Sequence, residues 1–210
     1  MSFDLSIMKN NEPLSKIGLV ILAAGSSSRL GTPKQLVAFR GETLLRGIAR
    51  ESLASVCRPI VVVLGKNAAH FRREIEDLDV QIVENKDWER GMGTSISAGV
   101  RKIVAIEKRL AAVVVCVCDQ PFVTGQTINR LVETFRRAQS PIVASAYGAA
   151  RGVPALFDKS LFARLTDLQS AGGAKQIINE LRCETVFVEF PEGAIDVDVA
   201  ADLEKLRDLE

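Results

Sequence analysis

A single histidine, His70, is present in 210 residues, and that scarcity excludes more chemistry than any other feature of the composition. A metal site built from several histidines is ruled out. A Ser-His-Asp triad would have to recruit His70 from a polar, helical stretch that reads as surface. The four cysteines, Cys57, Cys116, Cys118 and Cys183, form no C-x-x-C pair, so neither a zinc knuckle nor a thioredoxin-type centre is indicated. Cys116 and Cys118 share one face of a predicted strand, where buried structural thiols are expected and a metal-ligating or redox pair is the alternative. No apolar run approaches a membrane span, and Met1 to Pro13 lacks the apolar core of a secretory signal, so the chain reads as cytoplasmic. Net charge is +1 with no block of like charges, which leaves no footprint for a nucleic-acid or membrane partner. Repeats, low-complexity tracts and proline-rich linkers are absent too, so one domain is expected over 15–210 behind a flexible segment, 1–14.

What the chain does have is alternation. Nearly continuous apolar runs at Ile17 to Leu22, Arg58 to Leu64, Val80 to Glu84, Ala111 to Val117, Pro141 to Ala146 and Glu184 to Glu189 read as strands covered on both sides. Helical spacing of apolar residues marks Thr43 to Cys57 and Thr94 to Ile106. Further helices are expected at Thr124 to Ala138, Gly172 to Arg182 and Ala200 to Leu209. This order predicts an α/β fold with a mostly parallel sheet and helices on both faces.

The first strand empties into Leu22-Ala23-Ala24-Gly25-Ser26-Ser27-Ser28-Arg29-Leu30-Gly31-Thr32-Pro33-Lys34. Small residues leave backbone N–H groups open to an anion, and Arg29 and Lys34 add fixed positive charge to the same loop. A triphosphate is the indicated guest; a basic surface turn is the alternative. Five residues separate Gly25 from Gly31, and Thr32-Pro33 precede Lys34, so the loop is not a Walker sequence. It also lacks the G-x-G-x-x-G of a dinucleotide site; Gly91-Met92-Gly93 begins such a triplet, but Ile96 stands where its third glycine belongs.

Two other segments carry chemistry. Asp119 follows a strongly apolar strand, where a carboxylate is costly to desolvate; it is either a metal ligand or a helix cap beside Pro121. Gly91, Met92 and Gly93 suggest close backbone approach, with Ser95 at a helix start where a pyrimidine ring could lie, the alternative being a plain helix N-terminus. Trp88 reads as cover for the core beneath that loop ahead of a base-stacking role.

Taken together, these segments resemble the MobA-like nucleotidyltransferases, which include the molybdenum-cofactor cytidylyl- and guanylyltransferases, over about Ile17 to Leu206. LAAGSSSRLGTPK resembles the family's phosphate-binding signature, Cys118-Asp119-Gln120-Pro121 its metal-binding aspartate motif, and Asn85 to Ser95 the segment that shapes the base pocket. Asp196-Val197-Asp198 looks like the second acidic pair of the metal site. The resemblance implies a single-domain, Rossmann-like nucleotidyltransferase fold and Mg²⁺ held by Asp119 with Asp196 or Asp198. It implies a triphosphate bound by Leu22, Ala23, Ala24, Gly25, Ser26, Arg29 and Lys34, with Asn85, Gly91, Met92 and Ser95 around the base. Arg29, Lys34 and Asp119 would carry the chemistry. Gln120, Pro121, Gly152 and Pro154 would face a phosphorylated acceptor such as molybdopterin. Alanine before the first loop glycine, Ala24, resembles members that use CTP, whereas guanylyltransferases usually carry glycine there.

The acceptor half departs from the family pattern. Gly152-Val153-Pro154 has valine in place of the usual histidine, Ala171 replaces an aspartate, and Val199-Ala200 replaces Thr-Pro. Nucleotide binding is untouched by these changes, while the acceptor stays open. A sugar-phosphate or isoprenoid-precursor cytidylyltransferase, whose loops contain Pro-Lys-Gln much like Pro33-Lys34-Gln35, is one alternative. A catalytically silent nucleotide-binding maturation factor with a transient molybdoenzyme partner is another.

Overall fold

The computed structural model describes residues 16–25, 32–169, 172–197 and 202. Strand β1 (Lys16–Ala23) is buried at every position after the first. A small hairpin, β2 (Ala38–Phe39) and β3 (Glu42–Thr43), leads into α1 (Leu44–Ala54). Then follow β4 (Ile60–Leu64), α2 (Ala68–Arg72), β5 (Gln81–Glu84), α3 (Met92–Ile106) and β6 (Leu110–Val117). The second half comprises α4 (Gly125–Ala138), β7 (Ile142–Tyr147), β8 (Ala150–Asp158), α5 (Phe162–Thr166), α6 (Gly173–Glu180) and β9 (Thr185–Glu189).

Seven strands form one sheet in the order β5-β4-β1-β6-β8-β7-β9. All adjacent pairs are parallel except the two made by β8, which runs against both β6 and β7. Helices cover both faces, as the alternation predicts. Leu45 and Ile48 of α1, Phe71 of α2 and Ile128, Leu131 and Val132 of α4 bury against one face. Ile96, Val100 and Ile103 of α3, Leu165 of α5 and Ile177 and Ile178 of α6 bury against the other. Cover on both sides is why these strands read as unbroken apolar runs instead of alternating ones.

Helix starts follow local chemistry. Thr43 caps α1 by accepting from the Arg46 N–H, and Thr124 caps α4 by accepting from the Thr127 N–H. The expected helix from Ala200 to Leu209 and the expected flexible segment 1–14 lie outside the described residues. The sequence reading contains no counterpart of β8. Arg151, Gly152 and Pro154 break its apolar pattern, and proline normally argues against a strand flanked on both sides. The ladder accommodates it through a bulge: Ala144 pairs with Ala155, while Ser145 pairs with Gly152, leaving Val153 and Pro154 outside the register. The Ser145 hydroxyl then donates to the Pro154 carbonyl at 2.7 Å.

Helix α3 sits unusually close to the sheet because Gly99 has no side chain. A Cβ there would come within 2.4 Å of Val20 Cγ1 and 2.9 Å of Val63 Cγ2, both on buried strands. Gly99→Ala is expected to destabilise the fold by about 1–3 kcal/mol through overpacking, read as a lower denaturant midpoint at unchanged slope.

Candidate active site

The chain steps outward from β1 to β4 and β5, then returns to place β6 on the other side of β1. Such a reversal splays the loops at the carboxyl ends of the two central strands and opens a crevice between them. Here the Cys118 N–H donates to the Leu22 carbonyl at 3.1 Å, so β1 and β6 stay paired up to the point where both release their loops. A cleft of about 330 Å³ opens there. Of the expected nucleotide-site residues, Leu22, Ala23, Ala24, Gly25, Lys34, Gly91, Met92 and Ser95 line it, together with Asp119. Ser26, Arg29 and Asp198 lie outside the described residues.

At the centre of this cleft the Lys34 ammonium pairs directly with the Asp119 carboxylate, with only 17% and 19% of the two side chains exposed. The alternative reading of Asp119 as a helix cap does not hold, because Thr124 caps the helix that follows. Lys34 opens a short 3-10 turn whose next residue, Gln35, is fully buried. The Gln35 amide donates to the Ala23 carbonyl at 2.9 Å and to the Gly25 carbonyl at 2.8 Å. One side chain thus fixes the start of the loop against the turn that ends it. The sequence reading named Gln35 only within Pro33-Lys34-Gln35 and assigned it no role of its own. Gln35→Leu strands both carbonyls and is expected to cost about 1–3 kcal/mol of stability and to raise the nucleotide KM, measured by thermal melts and initial rates.

The floor of the cleft is the N-terminus of α3. Gly91 precedes it with φ 118°, a left-handed backbone that favours glycine, and no side chain caps the helix. The Thr94 N–H turns back to the Gly91 carbonyl at 3.2 Å, and Gly91, Met92 and Ser95 bring this helix start to the cleft wall, where the helix dipole favours an anion or polar edge. Asn85 acts behind this turn: its amide donates to Thr94 Oγ1 (2.9 Å) and Ser95 Oγ (3.0 Å), and its carbonyl accepts from the Asp87 N–H (3.0 Å). It braces the helix start and does not line the cleft. Trp88 packs against the buried residues of the α3 layer, as the core-cover reading expects, and also lines the cleft. Glu89 joins it on the rim, a residue the sequence reading passed over.

The second acidic segment reaches the same place. The Val197 N–H donates to the Asp119 carbonyl at 3.0 Å, and the fully buried Val197 packs with Phe39 and Leu44. Asp196 precedes Val197 in an irregular segment after β9; it is exposed and does not itself line the cleft. Two carboxylates and the oxygens of a triphosphate are the hard donor set that Mg²⁺ prefers, with water filling the remaining positions. Among the described residues no group of three or more His, Cys, Asp or Glu converges, so the residues fit a metal completed by substrate oxygens better than a closed protein cage. Cys118 lines the cleft, but burial, reinforced by the Asp119 charge, pushes its thiol up to about 12. Burial likewise raises Cys57 to about 11 and pushes Cys116 up. All three are buried, the outcome the strand pattern suggested for Cys116 and Cys118. His70 is exposed on α2 and does not line the cleft.

The expected acceptor residues divide. Gln120 and Pro121 line a separate cavity of about 210 Å³ between α1, the β2–β3 hairpin and the loop after β6. Gly152 and Pro154 line neither cavity and belong to β8. The N-terminus of α6 approaches the cleft: a Cβ on Gly173 would meet Met92 Sδ at 3.2 Å. Ala171 lies outside the described residues.

The model of the MobA-like NTP transferase domain matches residues 19–186. Nicotine blue oxidoreductase of Paenarthrobacter nicotinovorans is 35% identical over 150 residues, covering 68% of this chain and 71% of that protein. A probable molybdenum cofactor guanylyltransferase of Mycobacterium marinum is 26% identical over 187 residues, covering 88% and 90%. The crystal structure of Rv0371c from Mycobacterium tuberculosis H37Rv superposes with a TM-score of 0.81 at 26% identity, covering 92% of this chain and 98% of that one. The same protein in complex with manganese superposes with a TM-score of 0.74. The matched region runs from β1 into β9 and contains the whole cleft as described, and on that basis the chain is a nucleotidyltransferase of the MobA-like family.

Proposed function

We propose that the protein is a Mg²⁺-dependent nucleotidyltransferase that moves a nucleoside monophosphate, CMP from CTP in preference to GMP from GTP, onto a phosphorylated small molecule such as molybdopterin. The observation that carries this reading is the Lys34–Asp119 pair at the reversal point, with the glycine loop on one side and an uncapped helix N-terminus on the other. A cation and a metal-binding carboxylate side by side are what a magnesium–triphosphate complex needs.

In this reading Gly25, Ser26, Arg29 and Lys34 hold the β- and γ-phosphates, and Leu22, Ala23, Ala24, Gly91, Met92 and Ser95 enclose the nucleoside. An acceptor phosphate oxygen attacks the α-phosphorus. A new P–O bond forms, the α–β bridging P–O bond breaks, and its electron pair leaves with pyrophosphate. Charge builds on the departing oxygens, so fixed positive charge from Arg29 and Lys34 lowers the barrier without any proton-transferring histidine. Asp119 with Asp196 or Asp198 would hold the divalent ion, which supplies charge neutralisation on the phosphoryl oxygens; the manganese complex of the mycobacterial relative supports a divalent ion here. Pyrophosphate release measured with CTP, GTP, ATP and UTP against molybdopterin, sugar phosphates and isoprenoid-precursor phosphates tests this. Release with CTP and one acceptor is expected. Silence with every pair in folded, Mg²⁺-supplied protein overturns it, and tight CTP binding with that silence would point to a maturation factor.

The relative named nicotine blue oxidoreductase favours a second reading, in which the same cleft holds a redox dinucleotide. Oxidation of a reduced nicotinamide dinucleotide by an added electron acceptor, with no pyrophosphate formed from any nucleotide, would establish that reading in place of the first.

A further inference from the structure

The second cavity, of about 210 Å³, is walled by α1, the β2–β3 hairpin and the loop after β6. It shares no lining residue with the donor cleft: Asp119 lines that cleft, while the next two residues, Gln120 and Pro121, line this cavity. Two features point to an occupant. Gly47, the fourth residue of α1, lines the cavity, and a Cβ there would meet nothing within 4 Å. Neither close packing nor a left-handed backbone requires that glycine, and a helix interior disfavours it. Its effect is to keep the space open. In addition, two lining residues each hold a buried oxygen, Gln120 Oε1 and Glu42 Oε2, that has no hydrogen-bond partner among the described residues. The Gln120 Nε2 donates to the Gly193 carbonyl at 3.1 Å, which fixes Oε1 as the unanswered end of the amide. Glu42 gives its other oxygen to Arg50, so its charge is already countered and it lacks only a donor.

Both unanswered atoms are acceptors, and Phe39, Leu44, Ile48 and Val123 supply apolar lining. A buried acceptor left unpaired is costly, and a donor brought by a ligand offsets that cost. The complementary ligand is a small uncharged molecule with N–H donors on one edge of an apolar body. The lining segments also carry the donor site. The Val37 N–H donates to the Lys34 carbonyl at 3.2 Å and the Leu44 N–H to the Val37 carbonyl at 2.8 Å, tying the Lys34 turn to the start of α1. Across the cavity, Gln120 follows Asp119 directly. We propose that this cavity is an effector site for an amino-substituted heterocycle whose N–H groups join Glu42 to Gln120. The cavity is formed in the arrangement that pairs Lys34 with Asp119. An occupant bridging the two segments holds that arrangement. It therefore opposes the nucleotide, which on the transferase reading above must draw Lys34 away.

The probe is 2-aminobenzothiazole, with 2-methylbenzothiazole as an isostere that lacks the donors. In protein labelled with ¹⁵N-glycine, Gly47 is the resonance lost in Gly47→Leu. That substitution fills the open space with a better helix former, so its melting midpoint is expected at or above that of the parent protein. The amino probe should shift the Gly47 resonance saturably, with a Kd about fivefold or more higher in Glu42→Gln, and the methyl probe should not shift it. Trp88, the one tryptophan, lines the donor cleft and reports CTP binding by its fluorescence. Saturating amino probe should weaken CTP binding about fivefold or more in the parent protein and leave it unchanged in Gly47→Leu. Equal shifts from both probes, or no saturable shift, overturn the site and leave a cavity that holds water only. Saturable binding with CTP affinity unmoved overturns the effector role. Weakening that persists in Gly47→Leu puts the probe in the donor cleft and overturns the proposal too. Failure of the parent reading shows instead as Trp88 fluorescence unresponsive to every nucleotide, and the Gly47 shifts then decide the site by themselves.

Discussion

Asp119→Asn is expected to lower turnover on the order of a thousand-fold while leaving the fold in place. The substitution keeps shape and hydrogen-bonding capacity but removes the negative charge that would anchor the divalent ion at the end of β6. Its structural cost is limited to the Lys34 pair, a partly buried contact worth about 1 kcal/mol, which corresponds to about 2–4 °C in the melting midpoint of a domain this size. Initial rates of pyrophosphate release over a Mg²⁺ titration, with circular dichroism melts of the same samples, separate the two effects. Activity within tenfold of the parent protein would remove Asp119 from the chemistry.

Lys34→Met is expected to act with opposite signs on two ligands. Losing a charge-assisted contact to the triphosphate weakens nucleotide binding about 10- to 100-fold. Yet Lys34 neutralises Asp119 when no nucleotide is bound, so a cation approaching the carboxylate must first displace the ammonium. Removing Lys34 should therefore tighten Mn²⁺ binding to the nucleotide-free protein, read by the loss of the free-ion signal in electron paramagnetic resonance. On the proposed function this pairing would make metal and triphosphate each favour the other's arrival, since nucleotide would draw Lys34 away and free Asp119. A fall in nucleotide-free Mn²⁺ affinity in the variant would contradict that coupling.

The parts of the fold that can be read from sequence are those in which one short segment carries its own signal. Strands β1, β4 and β6 announce themselves because burial on both faces makes them continuous apolar runs. The glycine loop and Asp119 announce themselves because they interrupt such runs with charge. Strand β8 was illegible because its register is set by neighbours that tolerate a bulge around Pro154, information absent from residues 150–158 taken alone. The β2–β3 hairpin is too short, at two residues a side, to show a period. In the site, Lys34 and Asp119 were each visible as candidates, but their direct pairing depends on β1 and β6 lying side by side. Gln35 was missed because it acts on groups brought together only by the fold, the carbonyls of Ala23 and Gly25. Asn85 shows the converse. A polar residue inside a recognisable motif turned out to brace the helix start from behind, a distinction that spacing cannot carry.

The destination of the α-phosphorus tests the central claim most directly. With Mg²⁺, molybdopterin and CTP labelled in parallel samples at the α- or the γ-phosphorus, transfer at the Lys34–Asp119 cleft sends the α-label into a new acceptor conjugate and the γ-label into pyrophosphate. Recovery of the γ-label as free phosphate with the α-label in CDP, or retention of both labels in CTP across every acceptor and nucleotide tried, would contradict it.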